Sequence, residues 1–200
     1  MKINKNLIIS ENGFLPTTAS QLYLIRILFE RLDKLNENNE LNITFKEIRE
    51  LFGTDIRQKF INDILDKILV STFTYEGKVY KYIDSYVNHY NKRSYTITFP
   101  AETVKVWLED AIEYDFDTIR VLKSNKSSIV LYEYFRTGNT VLSFDKFCDI
   151  FNKDGYDFYD KKRELSKSVN NINNKSDIRV EVVYQRENNL FNIRYIKGGN

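Results

Sequence analysis

The chain has 200 residues, 42% hydrophobic and 14% aromatic, with 29% charged and a net charge of only +2. That composition excludes a disordered chain and suits one large domain or two of about 100 residues each. The lone Cys148 excludes an internal disulfide framework, the opening Met1-Lys2-Ile3-Asn4 leads into no signal-like apolar run, and no stretch approaches the roughly 18 apolar residues of a membrane span, so a cytoplasmic setting with no membrane partner is expected.

Leu22-Tyr23-Leu24-Ile25-Arg26-Ile27-Leu28-Phe29 reads as a buried helix. In Ile43-Thr44-Phe45-Lys46-Glu47-Ile48-Arg49-Glu50-Leu51-Phe52, Thr44 is a natural N-cap and Glu47 completes a capping box. A helix over 55–69 follows, with Phe60, Ile61, Ile64, Leu65 and Ile68 on its apolar face. Its outward side carries Lys59 and Asn62 together with Asp55, Asp63 and Asp66. Segment 70–75 then turns at Glu76-Gly77 into 79–87, and 95–99 adds a further strand.

Residues 1–100 carry a net +2, residues 101–120 a net −4 and residues 121–200 a net +4. The acidic stretch reads as a helical connector over 106–122 that would repel a polyanion, with Trp107 and Leu108 anchoring it on a core. Beyond it, Ile129-Val130-Leu131-Tyr132-Glu133-Tyr134-Phe135 reads as a second buried helix. Leu142-Ser143-Phe144-Asp145-Lys146-Phe147-Cys148-Asp149-Ile150-Phe151 repeats the pattern of 43–52 at an offset of 99, hydroxyl cap included. A helix over 159–173 and strands over 178–184 and 190–196, turning near Glu187-Asn188-Asn189, complete the chain.

Helices followed by a β-hairpin, twice over, make an α+β fold of two tandem winged helix-turn-helix domains, 1–105 and 123–200. Short amphipathic segments also resemble each other by accident; the matching flanks favour a true repeat. In such a fold the third helix enters the major groove. On the helix beginning at Tyr159, Leu165, Val169 and Ile172 share the inward face. Arg163, Lys167, Asn170 and Asn174 lie opposite, with Tyr159 and Asn171 beside them and Lys161 and Lys162 flanking the inward stripe. Arg suits guanine, Asn adenine and Lys phosphate. A solvated, lysine-rich face is the plainer alternative. Arg186, at the second hairpin, is a further DNA-binding candidate, and in the first unit Arg57, Gln58, Lys59, Lys92 and Arg93 are candidates for backbone contact. The acids of the first third helix would repel phosphate, so the second unit is expected to be the main reader.

Asn4-Lys5-Asn6-Leu7-Ile8 at the start, Lys123-Ser124 ahead of Ile129-Val130-Leu131-Tyr132-Glu133, and Asn171-Ile172-Asn173 followed by Ser176-Asp177-Ile178 come in an informative order. In that order the chain resembles the plasmid replication initiators of the Rep_3 family, the RepB- and RepE-like iteron-binding proteins. Asn171 departs from the family, which usually has Glu there. The resemblance implies double-stranded DNA with direct or inverted origin repeats as the partner, and initiation of plasmid or mobile-element replication with autorepression. It also implies a balance of monomer and homodimer with the dimer contact in the first unit, and recruitment of a host replication initiator and helicase. A winged-helix transcriptional regulator and a winged-helix protein-interaction module are the alternatives.

Catalysis, metal and cofactors are not expected. Strand-nicking initiators pair two metal-binding histidines with a tyrosine, whereas His89 is the one histidine here and reads as a wing residue. No glycine opens a P-loop, and Cys148 has no second cysteine for zinc. Glu76-Gly77-Lys78 reads as a hairpin turn rather than a nuclease fragment. Glu109, Asp110, Glu113, Asp115 and Asp117 read as a solvated helix end.

Overall fold

A computed structural model describes residues 1–9, 18–53, 56–151, 157–185, 187 and 190–196. The chain divides into two units, Met1–Phe116 and Asp117–Asn200.

The first unit opens with β1 (Lys2–Asn4), α1 (Lys5–Ile9) and α2 (Ala19–Phe29). Thr18 and Gln21 close a capping box at the start of α2. Every residue of α2 from Gln21 to Phe29 is buried, so this helix is the centre of the unit rather than an amphipathic surface helix. Its Arg26 is fully buried, with its guanidinium carbon 5.2 Å from the centroid of the Trp107 ring. Next come β2 (Glu40–Thr44), α3 (Phe45–Phe52), α4 (Gln58–Leu69), β3 (Thr72–Tyr75), β4 (Lys78–Lys81), β5 (Ser85–His89) and β6 (Ser94–Thr98). Thr44 and Glu47 form the expected capping box, and Gly53 ends α3 in the left-handed conformation with φ 61.

Strand β2 lies between α2 and α3, and the sheet order is β2-β6-β5. This strand was not expected; its Leu41 and Ile43 face the core while Asn42 and Thr44 are exposed. The expected strand over 79–87 is broken into β4 and β5. Tyr82 and Ile83 fall between them and are both buried, and β4 pairs with β3 whereas β5 pairs with β6 in a separate sheet. Glu76 and Gly77, with φ 49 and 74, form the tight turn of the separate β3-β4 hairpin.

The stretch 106–122 is divided rather than forming one connector. It takes in the end of α5 (Ala101–Leu108), then β7 (Ala111–Glu113), and α6 (Phe116–Leu122), which begins at the boundary of the units. β7 pairs antiparallel with β1, and this backbone ladder holds the acidic segment to the first unit. Trp107 is fully buried and donates to the Lys2 carbonyl, whereas Leu108 is 44% exposed.

The second unit repeats the plan with α7 (Lys126–Arg136), β8 (Val141–Ser143), α8 (Phe144–Phe151), α9 (Phe158–Lys175), β9 (Val180–Gln185) and β10 (Leu190–Tyr195). Its sheet order, β8-β10-β9, is the counterpart of β2-β6-β5. α8 and α3 keep the offset of 99 from first residue to last. Ser143 caps α8 by accepting from the Lys146 amide at 3.1 Å. Ser128 through Phe135 of α7 are all buried, as in α2. Asp177 ties the loop after α9 to α7, accepting from Tyr132 and Arg136, each at 2.9 Å. Each unit is thus a winged helix, and the fold is the α+β tandem expected.

Candidate nucleic-acid interface

α9 begins at Phe158, one residue ahead of the expected start, and Asp157 caps it by accepting from the Asp160 amide at 2.8 Å. Leu165, Ser168, Val169 and Ile172 face the core. The opposite face carries exposed Tyr159, Arg163, Lys167, Asn170 and Asn174, with Lys162 exposed at its flank. Tyr159 is 77% exposed, an uncommon state for a tyrosine.

The cations on this face are already partnered. Arg163 Nη2 lies 2.8 Å from Asp160 Oδ1, and its Nε lies 3.8 Å from Glu164 Oε1. Lys167 Nζ lies 3.0 Å from the same Glu164 oxygen. Such exposed pairs contribute about 0–1 kcal/mol each, so another anion can compete for the cations. Lys161 is half-buried, its ammonium 4.5 Å from the centroid of the Phe144 ring.

Asn171 does not join the outward face. Its side-chain amide donates to Ser128 Oγ at 3.0 Å, because the helix turns that position toward α7. Asn173, read from the sequence only as part of a motif, clamps the wing: it donates to the Val180 carbonyl at 2.8 Å and accepts from the Val180 amide at 2.9 Å. The Phe158 ring stacks on Tyr184 with centroids 3.7 Å apart, and Tyr184 in turn meets Phe144 and Phe191. A cleft of about 450 Å³ runs beside this stack between α9 and the wing strands, lined by Phe158, Lys162, Leu165, Ser166, Val182 and Tyr184 among others. Arg186 lies outside the described residues.

In the first unit, Arg57 stands at the N-cap of α4 and is exposed, as is Lys59. The expected start of this helix, Asp55, lies outside the described residues. Gln58 is turned inward: its amide donates to Asn88 Oδ1 at 3.0 Å. Asn88 donates on to Asn62 Oδ1 at 3.0 Å, and the Tyr95 hydroxyl donates to the same oxygen at 2.9 Å. Tyr86 donates to Asp66 Oδ1 at 2.5 Å. Asn62 and Asp66 are therefore engaged with the wing rather than presented freely outward. Burial pushes the Tyr95 hydroxyl up to about 12. Lys92 and Arg93 form the turn between β5 and β6 and are exposed at the wing tip. The Arg93 guanidinium carbon lies 5.4 Å from the Phe45 ring centroid, and Arg93 itself adopts φ 49. His89 ends β5, with its ring Nε2 2.9 Å from Thr96 Oγ1.

Among the described residues, no group of three or more His, Cys, Asp or Glu side chains could hold a metal ion, and no helix is long and apolar enough to cross a membrane. The acidic residues 109–117 do not gather at one helix end, and Glu113 pairs with Lys2 across the β1-β7 ladder at 3.1 Å.

No protein-family model and no curated protein matches the sequence. Solved structures do match. The fold is similar to that of the Pi initiator protein, crystallised in complex with iteron DNA, with a TM-score of 0.60 at 14% identity over 97% of this chain and 96% of that one. It is also similar to domains 2 and 3 of RctB, with a TM-score of 0.57 at 12% identity over 89% of this chain and 82% of that one.

Proposed function

We propose that this chain is a non-catalytic replication initiator that binds repeated origin sequences in double-stranded DNA, with α9 as its reading helix. The carrying observation is the outward face of α9, where Tyr159, Arg163, Lys167, Asn170 and Asn174 stand exposed on the element that winged helices insert into the major groove. The fold likeness to an initiator bound to iteron DNA supports the same reading. Lys92 and Arg93 at the first wing tip, with Arg57 and Lys59 on α4, add phosphate contacts from the first unit. Homodimer formation, autorepression and recruitment of a host initiator and helicase belong to this proposal as further steps.

Footprinting on the DNA beside the gene tests it. Protection of tandem direct repeats, with affinity falling steeply as salt rises, is the expected result, at about 0.9 log unit per phosphate contact per decade of salt. Protection of a single inverted repeat alone argues for a transcriptional regulator. Absence of salt-dependent DNA binding argues for a protein-interaction module and overturns the proposal.

A further inference from the structure

Resting on that reading of α9, we infer that Arg163 is its guanine-reading residue and that Asp160 and Glu164 are positioning residues that aim it. A guanidinium has two hydrogen-bonding edges: a side edge formed by Nε and one Nη2 hydrogen, and an end edge formed by Nη1 and the other Nη2 hydrogen. Asp160 Oδ1 lies 2.8 Å from Nη2 and Glu164 Oε1 lies 3.8 Å from Nε, so the two carboxylates flank the guanidinium. The Arg163 side chain is 62% exposed, which leaves it accessible to a base. A guanidinium edge is the fork that pairs with guanine O6 and N7 in the major groove. Arg163 also stands in the second turn of α9, within the N-terminal part of a recognition helix that meets base edges.

The two carboxylates do a second thing. A phosphate drawn to Arg163 or Lys167 must approach Asp160 and Glu164 as well, and like charges repel at that range. A guanine edge carries no net charge and meets no such penalty. The pair of acids thus lowers attraction to backbone in general while the Arg163 side chain stays exposed to a base. Glu164 serves both cations, since the same oxygen lies 3.0 Å from Lys167 Nζ.

The test begins with duplexes enriched by the full chain from a randomised pool. Each guanine of the enriched site is then replaced by 7-deazaguanine, which lacks the N7 acceptor. For the wild type, one position should weaken binding about tenfold or more. Arg163→Ala should be indifferent to that replacement. Asp160→Asn and Glu164→Gln should bind unselected duplex more tightly and lose most of the 7-deazaguanine penalty, with unchanged thermal unfolding. An Arg163→Ala variant that keeps the penalty overturns the base-reading role. Acid variants that bind all duplexes more tightly but keep the full penalty overturn the positioning role. If the wild type enriches no duplex, the DNA reading itself falls and takes this one with it.

Discussion

Thr44 and Ser143 occupy the same place in the two units, but their partners differ. Thr44 exchanges hydrogen bonds with Glu47, whereas Ser143 accepts from the amide of Lys146. The hydrogen bond from the Thr44 hydroxyl is the main cause holding the Glu47 carboxyl below its ordinary range. A lowered folded-state pKa means stability that is present above the ordinary carboxylate value and lost as pH falls through the lowered one. Thr44→Ala should therefore cost about 1 kcal/mol in urea unfolding at neutral pH and less at about pH 3. Ser143→Ala should show no such carboxylate-linked change. Asn62 is a different kind of residue, because one oxygen accepts from both Asn88 and the fully buried Tyr95. Asn62→Ala leaves both donors without that acceptor and should cost about 1–3 kcal/mol, read as a lowered midpoint in urea. The caps were legible in the sequence because both partners sit within one turn. The roles of Gln58, Asn62 and Asn171 were not, since each bonds to a residue at least 26 positions away.

At the scale of elements, α9 was the most legible feature. Its periodicity placed Leu165, Val169 and Ile172 inward and Arg163, Lys167, Asn170 and Asn174 outward, and the structure has them so. Strands β2 and β8 were not legible. They span five and three residues, too few for alternation to stand out, and their pairing with β6 and β10 is long-range. A division of labour on α9 follows from the geometry. Lys167→Ala should reduce the salt slope of DNA binding by about 0.9 if it neutralises one phosphate. Arg163→Ala should weaken binding to the enriched site far more than to unselected duplex. Titrations across a salt series separate the two, and neither variant should unfold, because both side chains are 62% exposed.

At the scale of the molecule, the two units share a plan and diverge in chemistry. The buried faces of α4 and α9 match at an offset of 104, with Ile61, Ile64, Leu65 and Ile68 corresponding to Leu165, Ser168, Val169 and Ile172. Lys59 then stands where the second unit has Arg163, Asp63 where it has Lys167 and Asp66 where it has Asn170. The first copy thus carries acids where the second carries a lysine and an amide. Each unit has its own buried central helix and its own three-stranded sheet. Domains of that size can fold alone. The segment Asp117–Asn200 should therefore unfold cooperatively by circular dichroism when expressed by itself, and should keep the base preference of the whole chain at lower affinity. The tandem repeat was legible from the offset of 99, whereas the unit boundary was not, because β7 is recruited to the first unit by pairing with β1.

Positions 58, 62 and 66 of α4 are stitched to their wing by directional bonds, while 158, 162 and 166 of α9 line a cleft beside stacked rings. A stitched seam resists sliding, because each bond fails once its angle is lost. Stacked rings tolerate a small slip with little change in contact. The first wing is therefore fastened along its helix, whereas the second is fastened at its base, where Asn173 holds Val180, and leans on stacked rings beyond that point.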